Sequence, residues 1–396
     1  MQSSSLFGNK KVFSILFFVI LITTMGAGIV SPLLPVYAQT LGASSFEIGA
    51  IFASFSLGRT LFVPIFGVMS DIFQKRWFII VGLGLYTLVS VLYFVFANVK
   101  GLILTRLSQG IASAMVLPVA QAYVVDLVKK EKMGTALGIF NIALYLGLSL
   151  GPVLGGALND QYGVGAAFIT MGMFSLTAMG FASIMLPSHD QVKGPLPLDY
   201  KAYLKMIRVP RVLLPVLIRF TYTASVGMLW AFLPLYAQNE VRLTSVQTGF
   251  VVMINVLVAG MSQIPAGWLW DRLEKDAVLF FSFLVSACGL LGFLINGSFL
   301  SLFISNALFG LGGGMAMPAL MAMVGLESKR ASMTGSGMGI LTFSHSLGML
   351  VGPLMGAWAL NTYGFNGIFG LGLVLTLFGV FCWMIGRPKG KNGSTP

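Results

Sequence analysis

The sequence predicts an all-α integral membrane protein, with twelve transmembrane helices in two six-helix bundles related by a parallel pseudo-two-fold repeat. Three observations carry this. Of the 396 residues, 57% are hydrophobic and 9% charged, against about 25% charged in soluble domains. The uncharged runs reach the roughly 20 helical residues needed to cross a hydrocarbon core of about 30 Å. Finally, the chain repeats itself. Pro35-Val36-Tyr37-Ala38-Gln39 returns as Pro234-Leu235-Tyr236-Ala237-Gln238, Gly67 and Asp71 return as Gly267 and Asp271, and Gly151-Pro152 returns as Gly352-Pro353, all at an offset near 200 residues. A parallel repeat in so apolar a chain is the pattern of a transporter with its substrate site between two halves.

The elements follow in order. Span one runs over 12–37 and span two over 46–70, interrupted by Glu47 and Arg59. Then come 77–99, 101–125 with Arg106 inside, 133–159 and 164–186. The second half repeats the series at 212–237 with Arg219 inside, 245–270, 277–295, 299–326, 332–360 and 365–385, with Asn361 to Asn366 dividing the last two. The domains read as residues 1–187, a cytoplasmic linker over 188–210 rich in proline and lysine, and residues 211–396.

Lysine and arginine set the orientation, because they stay on the cytoplasmic side. Lys10-Lys11, Lys75-Arg76, Lys129-Lys130, Arg272, Lys329-Arg330, Arg387 and the basic linker fall on one side, and Lys100 and Arg242 on the other. Both termini are therefore expected in the cytoplasm, in a multi-pass plasma (bacterial inner) membrane. The net charge of +12 is this topology signal together with attraction to anionic lipid. Its scatter over short loops argues against nucleic-acid binding. Cys288 and Cys382 both fall in spans, so no disulfide framework is expected. The first run lacks a clear cleavage site and belongs to the repeat, which argues against a cleaved signal peptide.

Gly67-Val68-Met69-Ser70-Asp71-Ile72-Phe73-Gln74-Lys75-Arg76 lies between spans two and three. It resembles the signature loop of the major facilitator superfamily, departing from it at Ile72 and Gln74. The resemblance implies a conformational latch: Gly67 lets a neighbouring helix approach, Asp71 meets the positive end of a helix from the other half, and Lys75 or Arg76 pairs with Asp126. Gly267, Asp271 and Arg272 form a second copy. Span five carries Gly147, Gly151, Pro152, Gly155 and Gly156, matching the pattern that this superfamily's proton-linked exporters carry; generic small-residue packing is the rival reading. Arg106-Leu107-Ser108-Gln109-Gly110 resembles the span-four motif of the same exporters. The resemblance covers the whole chain and implies a twelve-helix drug/proton antiporter, with a cavity lined mainly by spans one, four, seven and ten.

The charges within the spans are basic: Arg59, Arg106 and Arg219. An intramembrane cation is costly and marks function by default, although Arg106 has the alternative of snorkelling to the surface. Arg59 and Arg219 read either as struts on helix carbonyls or, for Arg219 with nearby Tyr222, as a fork for an anionic substrate group. The acids fall at span ends and in loops, Asp160 among them, so His345 is the remaining candidate for handling protons; hydrogen-bonded packing is its other reading. Asn141 with Tyr145, and Gln109 with Ser113, share helix faces and join Trp230, Asn306, Met315 and Met317 as candidate cavity lining.

These residues predict a secondary active transporter, a proton-coupled exporter of small amphipathic compounds working by alternating access. The alternative is a carrier for an anionic metabolite, siderophore-like compound or lipid, without obligatory proton coupling. The chain shows no catalytic carboxylate pair, metal-ligand cluster or nucleophile–base set, so no enzyme is expected. The partners expected are a small-molecule substrate, protons and the lipid bilayer, with no cofactor or metal and a monomer as the working unit.

Overall fold

The computed structural model describes residues 10–128, 133–187, 209–272, 275–295, 297–330 and 334–386. Among them, eleven helices are long and apolar enough to cross a membrane. Twelve crossings result, because Thr334–Gly386 holds a non-helical Gly364 (φ 68°, ψ −164°) at which spans eleven and twelve part. A side chain would resist that positive φ, and glycine does not. The expected linker lies almost wholly outside the described residues.

Span one differs from its expected single run. It forms Lys10–Val30, breaks over residues 31–33, and resumes as Leu34–Thr40. Pro32 and Pro35 each lack a backbone donor, so two helical hydrogen bonds are lost within four residues. Span seven has only Pro234 in the corresponding stretch, and Pro210–Asn239 stays one helix. Span two (Ser45–Ile72) opens on a capping box, in which Ser44 Oγ accepts from the Glu47 amide and the Glu47 carboxylate accepts from the Ser44 amide at 2.9 Å. Glu47 is thus committed to a helix end. Spans three (Lys75–Val95), four (Val99–Asp126), five (Met133–Tyr162) and six (Val164–Met185) complete the first bundle. Spans eight (Ser245–Arg272), nine (Lys275–Ile295) and ten (Phe299–Arg330) join seven, eleven and twelve in the second.

The packing follows the repeat. Span one lies against five and six, and span four against two and three; span seven lies against the paired eleven and twelve, and span ten against eight and nine. Spans three, six, nine and twelve turn rows of large apolar side chains outward, as with Val374, Leu377, Phe378 and Phe381. Such rows would be untenable in water and suit lipid contact.

The bundles meet along two symmetric seams, span five on eight and span two on eleven. At each seam a proline carbonyl faces a glycine. A Cβ on Gly49 would lie 2.7 Å from the Pro353 oxygen, and one on Gly249 would collide with the Pro152 oxygen. The end of the molecule remote from both termini is sealed across the bundles: Asn239 donates to the Gln39 side chain at 2.9 Å, and Asn159 to Ser245 Oγ at 2.9 Å. Asp160, expected in a loop, sits instead in the last turns of span five, and its carboxylate accepts from the amides of Ser245 (3.1 Å) and Val246 (2.9 Å). It thereby caps span eight from the opposite bundle. At the end that carries the termini, a Cβ on Gly67 or Gly267 would meet nothing within 4 Å.

Candidate functional site

Between the bundles, at mid-depth, lies a cavity of about 310 Å³. Spans one, two, four, five, seven and eleven supply most of its wall. This corrects the expected lining. Span ten does not reach this cavity; its Asn306 and Phe309 line a separate small pocket. Asn306 is buried and bonded to Asn255 and to the Val251 carbonyl, and Met315 and Met317 are likewise absent from the wall. Tyr222 also turns away, lying on Phe309 with its hydroxyl over Gly313, where a side chain would collide with it. Asn141 lies outside the wall too, within 3.5 Å of Gln121. Helical spacing places residues on a common face but does not fix how the helix is rotated toward its neighbours.

Arg106 points inward. It is 6% exposed, donates to Gln109 Oε1 at 2.7 Å, and stacks on Phe52 and Phe55 at 5.0 and 4.7 Å. Gln109 Oε1 also accepts from the Tyr93 hydroxyl at 3.0 Å. Phe52, Phe55 and Tyr93 are partners that sequence reasoning missed, since they come from spans two and three. Gln109→Leu would leave a buried guanidinium and a buried hydroxyl without their acceptor, a loss of about 3 kcal/mol. Its apparent unfolding temperature in detergent is expected to fall, and Gln109→Glu, which keeps an acceptor, to restore it; an unchanged Gln109→Leu melt would count against this assignment.

Across the cavity, Arg219 Nη2 lies 3.1 Å from His345 Nδ1. A guanidinium only donates, so Nδ1 accepts and the ring is the neutral tautomer with its proton on Nε2. Arg59 lines the same wall from span two. Tyr145, in span five, accepts from Gln263 of span eight at 2.6 Å, a mid-depth link between the bundles. No aspartate or glutamate lines the cavity among the described residues.

The span-five glycines divide between two neighbours. Side chains at Gly147, Gly151 and Gly155 would run into the span-one backbone, and at Gly156 into that of span eight. Pro152 lies on the seam with Gly249. At the terminus-bearing end, Lys75 rather than Arg76 pairs with Asp126, at 3.0 Å. Arg76 donates instead to the Ser183 carbonyl at 2.5 Å. Arg272 stacks on Trp268 at 4.0 Å. The side chains of Asp71 and Asp271 lie outside the described residues. The open space beside Gly67 departs from the close approach expected there.

The sequence matches the Major Facilitator Superfamily over residues 16–222 and 215–396. The chain belongs to this family. It is therefore a transporter, not an enzyme. It is 30% identical over 369 residues to an uncharacterised MFS-type transporter of Methanocaldococcus jannaschii, covering 89% of this chain and 95% of that protein. It is 26% identical over 360 residues to the multi-drug resistance efflux pump PmrA of Streptococcus pneumoniae, covering 88% and 89%. The structure of the nucleoside transporter NupG superposes with a TM-score of 0.82 at 12% identity, over 95% of this chain and 100% of that one; that likeness is one of fold.

Proposed function

We propose that this transporter is a secondary active exporter of small amphipathic compounds, working by alternating access and coupled to protons. The observation that carries the reading is the central cavity, walled by both bundles, apolar and aromatic over most of its surface, and sealed across the bundles at the end remote from the termini. A carrier that rocks two bundles about a central site requires such a compartment. Two multi-residue patterns support export: the glycine–proline run of span five, and the similarity to an efflux pump. With the basic loops in the cytoplasm, the sealed end faces outward. The protein then sits in a bacterial inner membrane with both termini inside, and two bundles joined by the 188–210 linker act as one working monomer. Lys75 and Asp126 stiffen the inner latch that also contains Asp71 and its second copy. His345 is the cavity group whose ordinary titration range suits proton exchange.

The test is proton flux in proteoliposomes under an imposed pH gradient, challenged with cationic, neutral and anionic amphipathic compounds. Compound-dependent dissipation of the gradient is the expected result. Compound flux with no proton movement would remove the coupling, and no flux of either kind would remove the exporter reading.

A further inference from the structure

The cavity's charge is unbalanced. Arg59, Arg106, Arg219 and His345 line it, and no acid does among the described residues. Arg106 is accounted for by Gln109 and two aromatic rings. The other two guanidiniums are not. Nε of all three is buried without a hydrogen-bond partner, but among the described residues Arg59 shows no side-chain acceptor, and the side-chain contact seen for Arg219 is a neutral ring nitrogen of His345. Arg59, Arg219 and His345 all line the one cavity. The two arginines come from different bundles, on spans seven and two.

We propose that Arg59 and Arg219 form one site for the anionic group of the cargo, a carboxylate, sulfonate or phosphate monoester, and that His345 Nδ1 holds its place in the empty carrier. This rests on reading the cavity as the cargo site. The charged fork donates two parallel hydrogen bonds to such a group, a better match than a single imidazole lone pair. Val226, Trp230 and Met349, on the same spans as Arg219 and His345, line the cavity and receive the apolar body of the cargo. The site also gives the rocking step a trigger. Two cations on opposite bundles repel when the bundles are drawn together around them, and an anion between them turns that repulsion into a bridge.

The experiment uses the full-length protein in detergent and three probes of one shape: 2-naphthoate, 2-naphthylmethanol and 2-naphthylmethylammonium, titrated by calorimetry. Naphthoate is expected to bind at least about tenfold more tightly than the alcohol, the scale of one charge-assisted hydrogen bond. Arg219→Gln and Arg59→Gln should each remove that preference, weakening naphthoate about tenfold more than the alcohol. Arg219→Lys, which keeps charge without the fork, should keep part of it. Removing the place-holder, as His345→Leu, should leave naphthoate binding intact or tighten it. Equal affinity for all three probes, or arginine variants that weaken every probe alike with an unchanged melting temperature, would overturn the anion site while leaving the exporter in place. The exporter reading fails separately, on an absence of any flux in proteoliposomes.

Discussion

Gly156→Val is expected to slow transport about ten- to a hundredfold, by preventing closure of the outer end. A side chain at this position collides with the Ser245 carbonyl oxygen and approaches Val246 Cα to 2.7 Å, so backbone meets backbone and neither helix yields easily. Overpacking of this kind typically costs about 1–3 kcal/mol, and each 1.4 kcal/mol is tenfold in an equilibrium. The penalty falls only on the state with spans five and eight in contact, so it shifts the balance between conformations. A cysteine pair at Gln39 and Asn239, whose side chains meet across the sealed end, reports on that contact once Cys288 and Cys382 are replaced. Cross-linking should fall along with flux; full cross-linking beside lost flux would place the damage elsewhere. Gly155→Val is the contrasting variant. Its side chain collides with Ile29 of span one within the same bundle, so it should lower the melting temperature rather than move the gate.

The second large effect concerns Asp160. Its carboxylate satisfies the first two amides of span eight across the seam, while Thr244 Oγ1 takes the Gln247 amide. Asp160→Ala removes a cap of about 1–2 kcal/mol, which corresponds to roughly a five- to thirtyfold gain in the population open at that end. Asp160→Asn, keeping one acceptor oxygen, should fall between. The check is the rate at which an impermeant thiol reagent, added outside, labels a cysteine at Ser31 beneath the seal. Unchanged labelling in Asp160→Ala would show that the cap does not hold the gate. By the repeat register the second half carries Asn361 where the first has Asp160, so a formal charge serves one seam of the two.

Much of this architecture was legible in the sequence because the bilayer imposes it. Length, hydropathy and the repeat were enough for the spans, and Asn361 to Asn366 bracket the Gly364 break. The site was legible in kind rather than in placement. Arg59, Arg106, Gln109, Tyr145, Arg219 and His345 do line one cavity. Tyr222, Asn141 and the span-ten residues do not, because helix rotation is set by packing partners on other spans. Asp160 read as a loop acid for the same reason: its partners lie 85 and 86 residues further along the chain. The paired prolines near the end of span one were visible, but their effect depends on counting lost backbone donors rather than on hydropathy.

That break gives the two halves unequal doors. The Gln39–Asn239 contact joins the short helix Leu34–Thr40 to the end of a helix that runs unbroken from Pro210. On one side the closing piece is a short helix set off by the break at residues 31–33; on the other it is the tip of an unbroken helix. In the proposed alternating-access cycle, moving this short helix would cost less than tilting a whole bundle, so the outer exit would open on the first-half side before the halves rock apart. Departure of cargo and reversal of the carrier would then be separable events, and a rate measured for one need not equal the other.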